Sequence, residues 1–510
     1  MSDLSDLVAR SLHPDTRETF DERVDEQAAF LREEVREGRL DNDQFAIGLE
    51  MEVYAAEAVA EGPQLTRLPA DLFEHGAVTK ELGLHNAEIN TDPSVFDAEG
   101  LAEQAATIRS QTAAAKDAAA ETGADLLLDA MWTVPPSEGT SAYLSASEDD
   151  DGVAVASNMR PAPRYVAIDE AIREHAGGDL TLTVPGAELS FPSILFESLA
   201  TSIQPHLQIP DTESFPEYYN AGIRTLGPLL ALATNSPFLP GDLYEDVTDP
   251  GSVVDATHHE LRIAVFEQSV NYTGNPKVRV PEDIDSMDDV VAGVVGDDVV
   301  APFLREWLQN GPAEAYTDNY WEFEHKRGTY WRWLRCVVGG DPVGTGDERS
   351  VRIEYRPLPT QPTVTDVVGL QALTAGLLRG LVVEDHPLAE LPWEAAERSF
   401  YAAAESGLDA DLAWMTAEGE RTDDSDVIFA EVFEYAERGL EAQGVDSEAA
   451  AAYLQPIRAR WEAGTVPSDW KKAQVRDRLA AGDDLETAIT GMQREYARLS
   501  RETESFAEWI

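Results

Sequence analysis

Phe20, Val24, Leu31 and Val35 recur at helical spacing and predict a helix over residues 15–37, capped by Asp15 or Thr16 and ended by Gly38. The period then changes. Phe45-Ala-Ile-Gly-Leu-Glu-Met-Glu-Val-Tyr54 is short, apolar and partly alternating, as a strand is. Residues 101–122 are Ala-rich and read as a helix, Leu126 to Trp132 as a strand, and Ser145 to Gly152 as an acidic surface loop. A further strand is expected over Ser202 to Ile209, then a helix from about Glu217 to Ala233. Glu282 to Asp289 reads as acidic loop and Val351 to Arg356 as a strand, which leads through Pro357, Pro359 and Pro362 into an apolar helix at 366–383. Everything after about residue 390 is expected to be helical. In its last segment Leu485, Ile489, Met492, Tyr496 and Leu499 form one amphipathic stripe. Separated strands among many helices give an α+β class.

Composition changes this picture in one respect. The 510 residues carry 38 Lys plus Arg against 96 Asp plus Glu, a net charge of −58, yet 43% are hydrophobic, enough to build large cores. Only six of the basic residues are Lys. An acidic, lysine-poor chain with a full core is expected of a halophilic archaeal cytoplasm, where hydrated carboxylates keep the surface soluble and salt damps their repulsion. The same charge argues against nucleic acid or an anionic membrane as partner, since both demand a basic footprint. One cysteine, Cys336, excludes an internal disulfide and a cysteine-based zinc site. The opening Met1-Ser-Asp-Leu-Ser-Asp places acids where a leader needs positive charge, so a cytoplasmic location is expected. The apolar run from Val367 to Val383 is broken by Gln371 and Arg379 and reads as a buried helix.

In so acidic a chain, an acid-x-acid pair means little by itself, and Glu322-Phe-Glu324 is such a decoy. Glu50-Met-Glu52 differs because it sits inside an apolar strand pattern, where i, i+2 spacing puts both carboxylates on one face. Two half-buried carboxylates on one face repel each other unless a cation neutralises them, and oxygen ligands suit Mg²⁺. The period-two device recurs in Glu88-Ile-Asn90, in Gln204, His206 and Gln208, and in Glu354-Tyr-Arg356. A structural histidine and a plain Glu354–Arg356 ion pair are the bland alternatives. Four polar-faced strands together describe a concave sheet lined with metal-binding acids and phosphate-binding groups. His258-His-Glu260 reads as surface or loop rather than metal site. Trp331 and Trp333 read as core aromatics, with a nucleotide-pocket wall as the alternative.

Gly48-Leu-Glu-Met-Glu52, Glu88-Ile-Asn-Thr91, Ser202-Ile-Gln-Pro-His-Leu-Gln208, Leu229-Leu-Ala-Leu-Ala-Thr-Asn-Ser-Pro-Phe238 and Ile353-Glu-Tyr-Arg356 occur in that order. With Leu261-Arg-Ile-Ala-Val-Phe266, Gly328-Thr-Tyr-Trp-Arg-Trp-Leu-Arg335 and Ser399-Phe-Tyr-Ala-Ala-Ala-Glu-Ser-Gly-Leu-Asp409, the set resembles glutamate–cysteine ligase family 2 from about residue 44 to 500. The resemblance implies a glutamine-synthetase-like fold, a curved and mainly antiparallel sheet flanked by helices. It divides the chain into a helical extension (1–40), a catalytic domain (41–390) and a C-terminal helical region packed on it (391–510).

It also implies the reaction. ATP phosphorylates the side-chain carboxylate of glutamate, and cysteine or another amine displaces the phosphate, giving γ-glutamylcysteine or a related amide. On that reading Glu50, Glu52, Glu88 and Glu354 hold Mg²⁺, and Gln204 and His206 add a metal or phosphate contact. Arg356 stabilises the migrating phosphoryl group, while Arg262 and Arg335 meet phosphate or glutamate carboxylates. Departures from the family's pattern fall at Gln204-Pro-His206, at Glu405 in place of a basic residue, and at Pro357-Leu-Pro-Thr-Gln361. They bear chiefly on which amine is accepted. A different carboxylate or amine, or a non-catalytic relative that binds nucleotide or glutamate, is the alternative reading.

Overall fold

The computed structural model describes residues 4–59, 62–74, 76, 78–244, 247–309, 315–339 and 349–510; residues 1–3, where the leader reading begins, lie outside these. Its centre is a nine-stranded antiparallel sheet: β1 (Ala46–Val59), β2 (Gly62–Leu65), β3 (Thr79–Lys80), β4 (Asn86–Asn90), β5 (Ser94–Val95), β6 (Ala124–Leu127), β7 (Ile203–Ile209), β8 (Leu334–Val338) and β9 (Val351–Tyr355). The order is β8-β9-β7-β1-β4-β3, and β2, β5 and β6 also pair with β1. At 14 residues, β1 is long enough to take β5 and β7 along its first half, β4 at mid-length, and β6 and β2 beyond. Alternation decides its faces. Ile47, Leu49, Met51 and Val53 are buried, whereas Glu50 and Glu52 on the opposite face stay half-buried.

Of the long helices α1 (Pro14–Arg36), α2 (Ala98–Glu121), α3 (Phe215–Ala233), α4 (Val364–Val383) and α5 (Ser425–Ala442), α2 packs against β1, α4 against β7 and α3 against β8, while α5 packs on α4 and α1 on the helices Met287–Val295 and Trp321–Arg327. Four helices close the C-terminal region: α5, Ser447–Ala463, Pro467–Ala481 and Leu485–Glu502. The expected stripe of the last one is buried at Leu485, Ile489, Met492 and Tyr496 and partly exposed at Leu499. Among the described residues α4 is the one helix long and apolar enough to cross a membrane, and 83% of that stretch is buried inside the protein.

Several expectations are corrected. Helix α1 is capped by His13, whose ring accepts from Asp15 N at 3.2 Å, with Pro14 at the first position, not by Asp15 or Thr16. The strand expected to Trp132 stops at Leu127. The loop expected over 145–152 is part of a hairpin, Ser147–Asp150 with Val153–Ala156. Its turn is Asp151-Gly152, both at positive φ (49° and 92°), the Asp-Gly signature of a two-residue hairpin loop. The acidic loop over 282–289 ends early, because Ser286 caps a helix that begins at Met287. The region after 390 also holds a small hairpin, Trp414–Met415 with Arg421–Thr422. A further hairpin, Leu180–Val184 with Ala187–Phe191, was not anticipated.

Candidate active site

In an antiparallel ladder, residues directly opposite one another share a face. The register sets Glu50 opposite both Gln204 and Asn90, Glu52 opposite Glu88, Gly48 opposite His206, His206 opposite Glu354, and Glu354 opposite Arg335. Every strand-borne residue anticipated for the site therefore lies on one face. Two groups of metal-ligand atoms form there, each within 4.8 Å: Glu50, His206 and Glu354, and Glu52, Glu81 and Glu88. Glu81 was not anticipated. It follows β3 outside any strand, so no period-two partner marks it.

The two groups differ electrostatically. Glu354 is buried, and both its oxygens accept hydrogen bonds from Arg335, at 2.7 Å (Nε to Oε2) and 2.9 Å (Nη2 to Oε1); Arg356 donates to Oε1 as well. Burial works against its charge, but Arg335 and Arg356 hold the carboxyl well below the ordinary carboxylate range. Burial in turn brings Arg335 down to about 10. Burial likewise opposes the charge of Glu50, and His206, whose Nε2 lies 3.4 Å from Glu50 Oε1, outweighs it and brings that carboxyl lower.

In the second group no described arginine hydrogen-bonds the carboxylates, and Arg262 and Arg356 act only on Glu52, through space and too weakly to offset its burial. Burial raises Glu52, although Ser202 N (2.7 Å) and Gln204 Nε2 (3.1 Å) donate to it. Burial raises Glu81 well above the ordinary range, with Glu88 and Glu52 adding repulsion. Burial, then Glu50 and Glu52, pushes Glu88 up to about 7, despite hydrogen bonds from Asn90 (2.6 Å) and Thr79 (3.0 Å). Three raised carboxyls with converging oxygens fit a hard divalent cation. The fit at His206 is conditional. Its Nδ1 accepts from Arg352 Nε at 3.1 Å, so the ring's proton sits on Nε2, which faces Glu50 Oε1 at 3.4 Å. Ligation through Nε2 requires the Arg352 contact to break.

Gln204 ties the groups together, donating to Glu52 and accepting from Arg356 Nη1 at 2.6 Å. Arg356 thereby bridges Gln204 and Glu354. Arg262 is buried and donates through Nη2 to the carbonyl of Pro357, next to Arg356, while its Nε lies 3.4 Å from Glu260 Oε1. It braces the turn that positions Arg356 and is not part of the cavity wall. Glu260 in turn holds Asn235 N (2.8 Å) and the Ser236 hydroxyl (2.5 Å), and His259 Nδ1 meets Ser468 Oγ at 2.9 Å, so His258-His-Glu260 forms no metal cluster. Of the tryptophans, Trp333 is core and Trp331 lines the cavity.

Two cavities meet at Glu50. One of about 460 Å³ is lined by Glu50, Glu52, Glu81, Glu88, Arg335 and Arg356 on the sheet, and by Tyr165, Ile168, Glu197, Phe266, Val270 and Trp331 from the segments around it. The other, of about 220 Å³, lies toward the start of β1, between Ala46, Gly48, Asn90, Thr91, His206, Gln208 and Arg352.

A family model described as "Glutamate-cysteine ligase family 2" matches residues 46–502. No curated protein matches in sequence. The fold is similar to that of a bifunctional glutathione synthetase from Pasteurella multocida, with a TM-score of 0.51 and 15% identity over 90% of this chain and 53% of that one. The chain thus spans about half the length of that relative. It is also similar to a glutamate–cysteine ligase from Francisella tularensis crystallised with AMP, with a TM-score of 0.50 and 14% identity over 91% of this chain and 90% of that one. At such identity these likenesses concern the fold.

Proposed function

The chain belongs to glutamate–cysteine ligase family 2, and from that premise we propose that it is an ATP- and Mg²⁺-dependent ligase joining the side-chain carboxylate of glutamate to an amine, with cysteine as acceptor and γ-glutamylcysteine as product. Family membership supports a carboxylate–amine ligase, and the AMP found in the Francisella tularensis enzyme supports an adenine nucleotide as donor. The acidic, lysine-poor composition supports a salt-rich cytoplasm as its setting.

One observation carries the reading: a cluster of half-buried carboxylates, with the buried Glu354, beside a fixed guanidinium where two cavities meet. Phosphoryl transfer to a carboxylate brings anions together and needs little else than positioning and positive charge. Glu52, Glu81 and Glu88 would hold Mg²⁺, with Glu50, and with Glu354 and His206 at the edge of the cluster. Magnesium, when bound, supplies the charge that phosphate oxygens require. Arg356, immobilised between Glu354 and Gln204, presents an always-charged planar group to the migrating phosphoryl. Arg335 keeps Glu354 ionised, and Arg262 fixes the Pro357 turn. The two cavities give donor and acceptor separate approaches to Glu50.

ADP release in molar KCl, with Mg²⁺, glutamate and a panel of amines, tests the reading. With glutamate labelled by ¹⁸O in its side-chain carboxylate, one label passes to the released phosphate. Release of ADP with no amine of the panel, in protein that still binds ATP and Mg²⁺, would leave a binding relative rather than a ligase.

A further inference from the structure

One carboxylate in the larger cavity belongs to neither ligand group. Glu197 lies on a 3₁₀ turn, Ile194–Leu199, that reaches the cavity opposite the sheet-borne acids. The turn is rigid. Ser193 Oγ caps it at Leu195 N (3.2 Å), Asp169 accepts from Ile194 N (2.7 Å), and the carbonyl of Ser198 is held by Trp132 Nε1 (3.0 Å) and His85 Nε2 (3.0 Å). A carboxylate fixed on such a platform should have a partner. Among the described residues the Glu197 side chain has no hydrogen bond and no ion pair, and its oxygens are not among the buried unsatisfied atoms, so they open to the cavity. Tyr165, Phe266 and Trp331 line the same space.

We propose that Glu197 is the subsite for the primary ammonium group of a substrate. A fixed carboxylate among aromatic side chains is the pairing that recognises an alkylammonium, by charge-assisted hydrogen bonds and by attraction to ring faces. The inference rests on the ligase reading, in which two ammonium groups are available: the α-ammonium of glutamate and that of the amine acceptor. Both offer the same chemistry, and the experiment separates them.

Glu197→Gln keeps the shape and removes the charge. If Glu197 holds the ammonium of glutamate, the variant raises the KM for glutamate roughly tenfold, as expected for a lost charge-assisted hydrogen bond, and leaves that for glutarate, which has no amine, unchanged. If it holds the acceptor, the KM for cysteine rises by that factor and that for hydroxylamine, uncharged at neutral pH, does not. Calorimetric titration of glutamate, glutarate and cysteine into wild type and variant, with Mg²⁺ and without nucleotide, reads the same contrast without turnover. Selective weakening of one ammonium-bearing ligand supports the proposal; equal effects on charged and uncharged counterparts, or none on any, overturn it. Wild type that binds glutamate or cysteine through Glu197 but makes no product with any acceptor would reject the ligase reading alone.

Discussion

Replacing Lys471 by Met should cost the protein about 3–5 kcal/mol, the range for stripping one partner from a buried ion pair. Lys471, on the helix Pro467–Ala481, donates to Asp129 Oδ1 at 2.5 Å and to the carbonyl of Asn235 at 2.6 Å, and its ammonium lies 4.4 Å from the Tyr496 ring centroid. Both charged side chains are buried, at 1% and 0% exposure. The variant leaves Asp129 with Gln493 Nε2 (2.7 Å) and Ala130 N (2.7 Å) as donors but with no countercharge. Burial already raises the Asp129 carboxyl against the pull of Lys471. Without that pull Asp129 takes up a proton in the fold, so the deficit should shrink as pH falls. Urea unfolding in molar KCl measures it, since urea leaves the ionic strength unchanged. The expected result is a lower midpoint with an unchanged slope and a single transition, because the pair ties a C-terminal helix to the chain just beyond β6. Doubling the KCl should not alter the difference, as a buried pair is poorly screened. The double variant Asp129→Asn, Lys471→Met should be less destabilised than Lys471→Met alone. A loss below about 1 kcal/mol, the range of exposed pairs, would refute the reasoning.

Four further outcomes are expected. Glu52→Gln and Glu88→Gln should fold but lose the rise in melting temperature that Mg²⁺ gives the wild type; full retention in both would remove them from the metal site. Arg356→Lys should lower kcat on the order of ten- to a hundredfold, the worth of one or two hydrogen bonds to charged groups, because Nη1 alone is committed to Gln204 and Glu354 and an ammonium held there has no further planar fork to offer the phosphoryl group; unchanged turnover removes the role. Moving from molar salt to about 0.1 M lengthens the Debye length to about 10 Å, so the −58 charge should lower the melting temperature, and a flat response would contradict this. Buried His85, pushed by desolvation from 6.5 down to about 4, stays neutral in the fold while the unfolded chain protonates. Stability should therefore fall as pH drops from about 6.5 to about 4, by about 3 kcal/mol at 1.36 kcal/mol per unit; a His85→Gln variant with the same pH slope over that window would disprove it.

Period, turn chemistry and composition were enough to place the long elements. The alternation around Glu50 and Glu52 identified β1 and put both carboxylates on one face, that of the candidate site, because a strand's side-chain period is two whatever it pairs with. The same rule placed Glu88, Gln204, His206 and Glu354. The Asp151-Gly152 turn was legible and overlooked, since the acidic run around it suggested surface loop. Composition separated surface from core only in the aggregate. Six lysines looked like simple depletion, yet four of them, Lys277, Lys326, Lys471 and Lys472, are buried, so lysine is retained mainly in the interior.

Tertiary structure alone decided which polar groups meet. Strand register, fixed by pairing between segments as far apart as β7 and β9, set His206 against Glu354, and pairing of β8 with β9 set Glu354 against Arg335; a shift of one residue would have scattered them to opposite faces. Glu81 and Glu197 lie outside regular strands, and no local pattern distinguishes them from the chain's other acids. Their importance comes from desolvation and from like charges brought close by the fold, and both depend on distance in space rather than along the sequence.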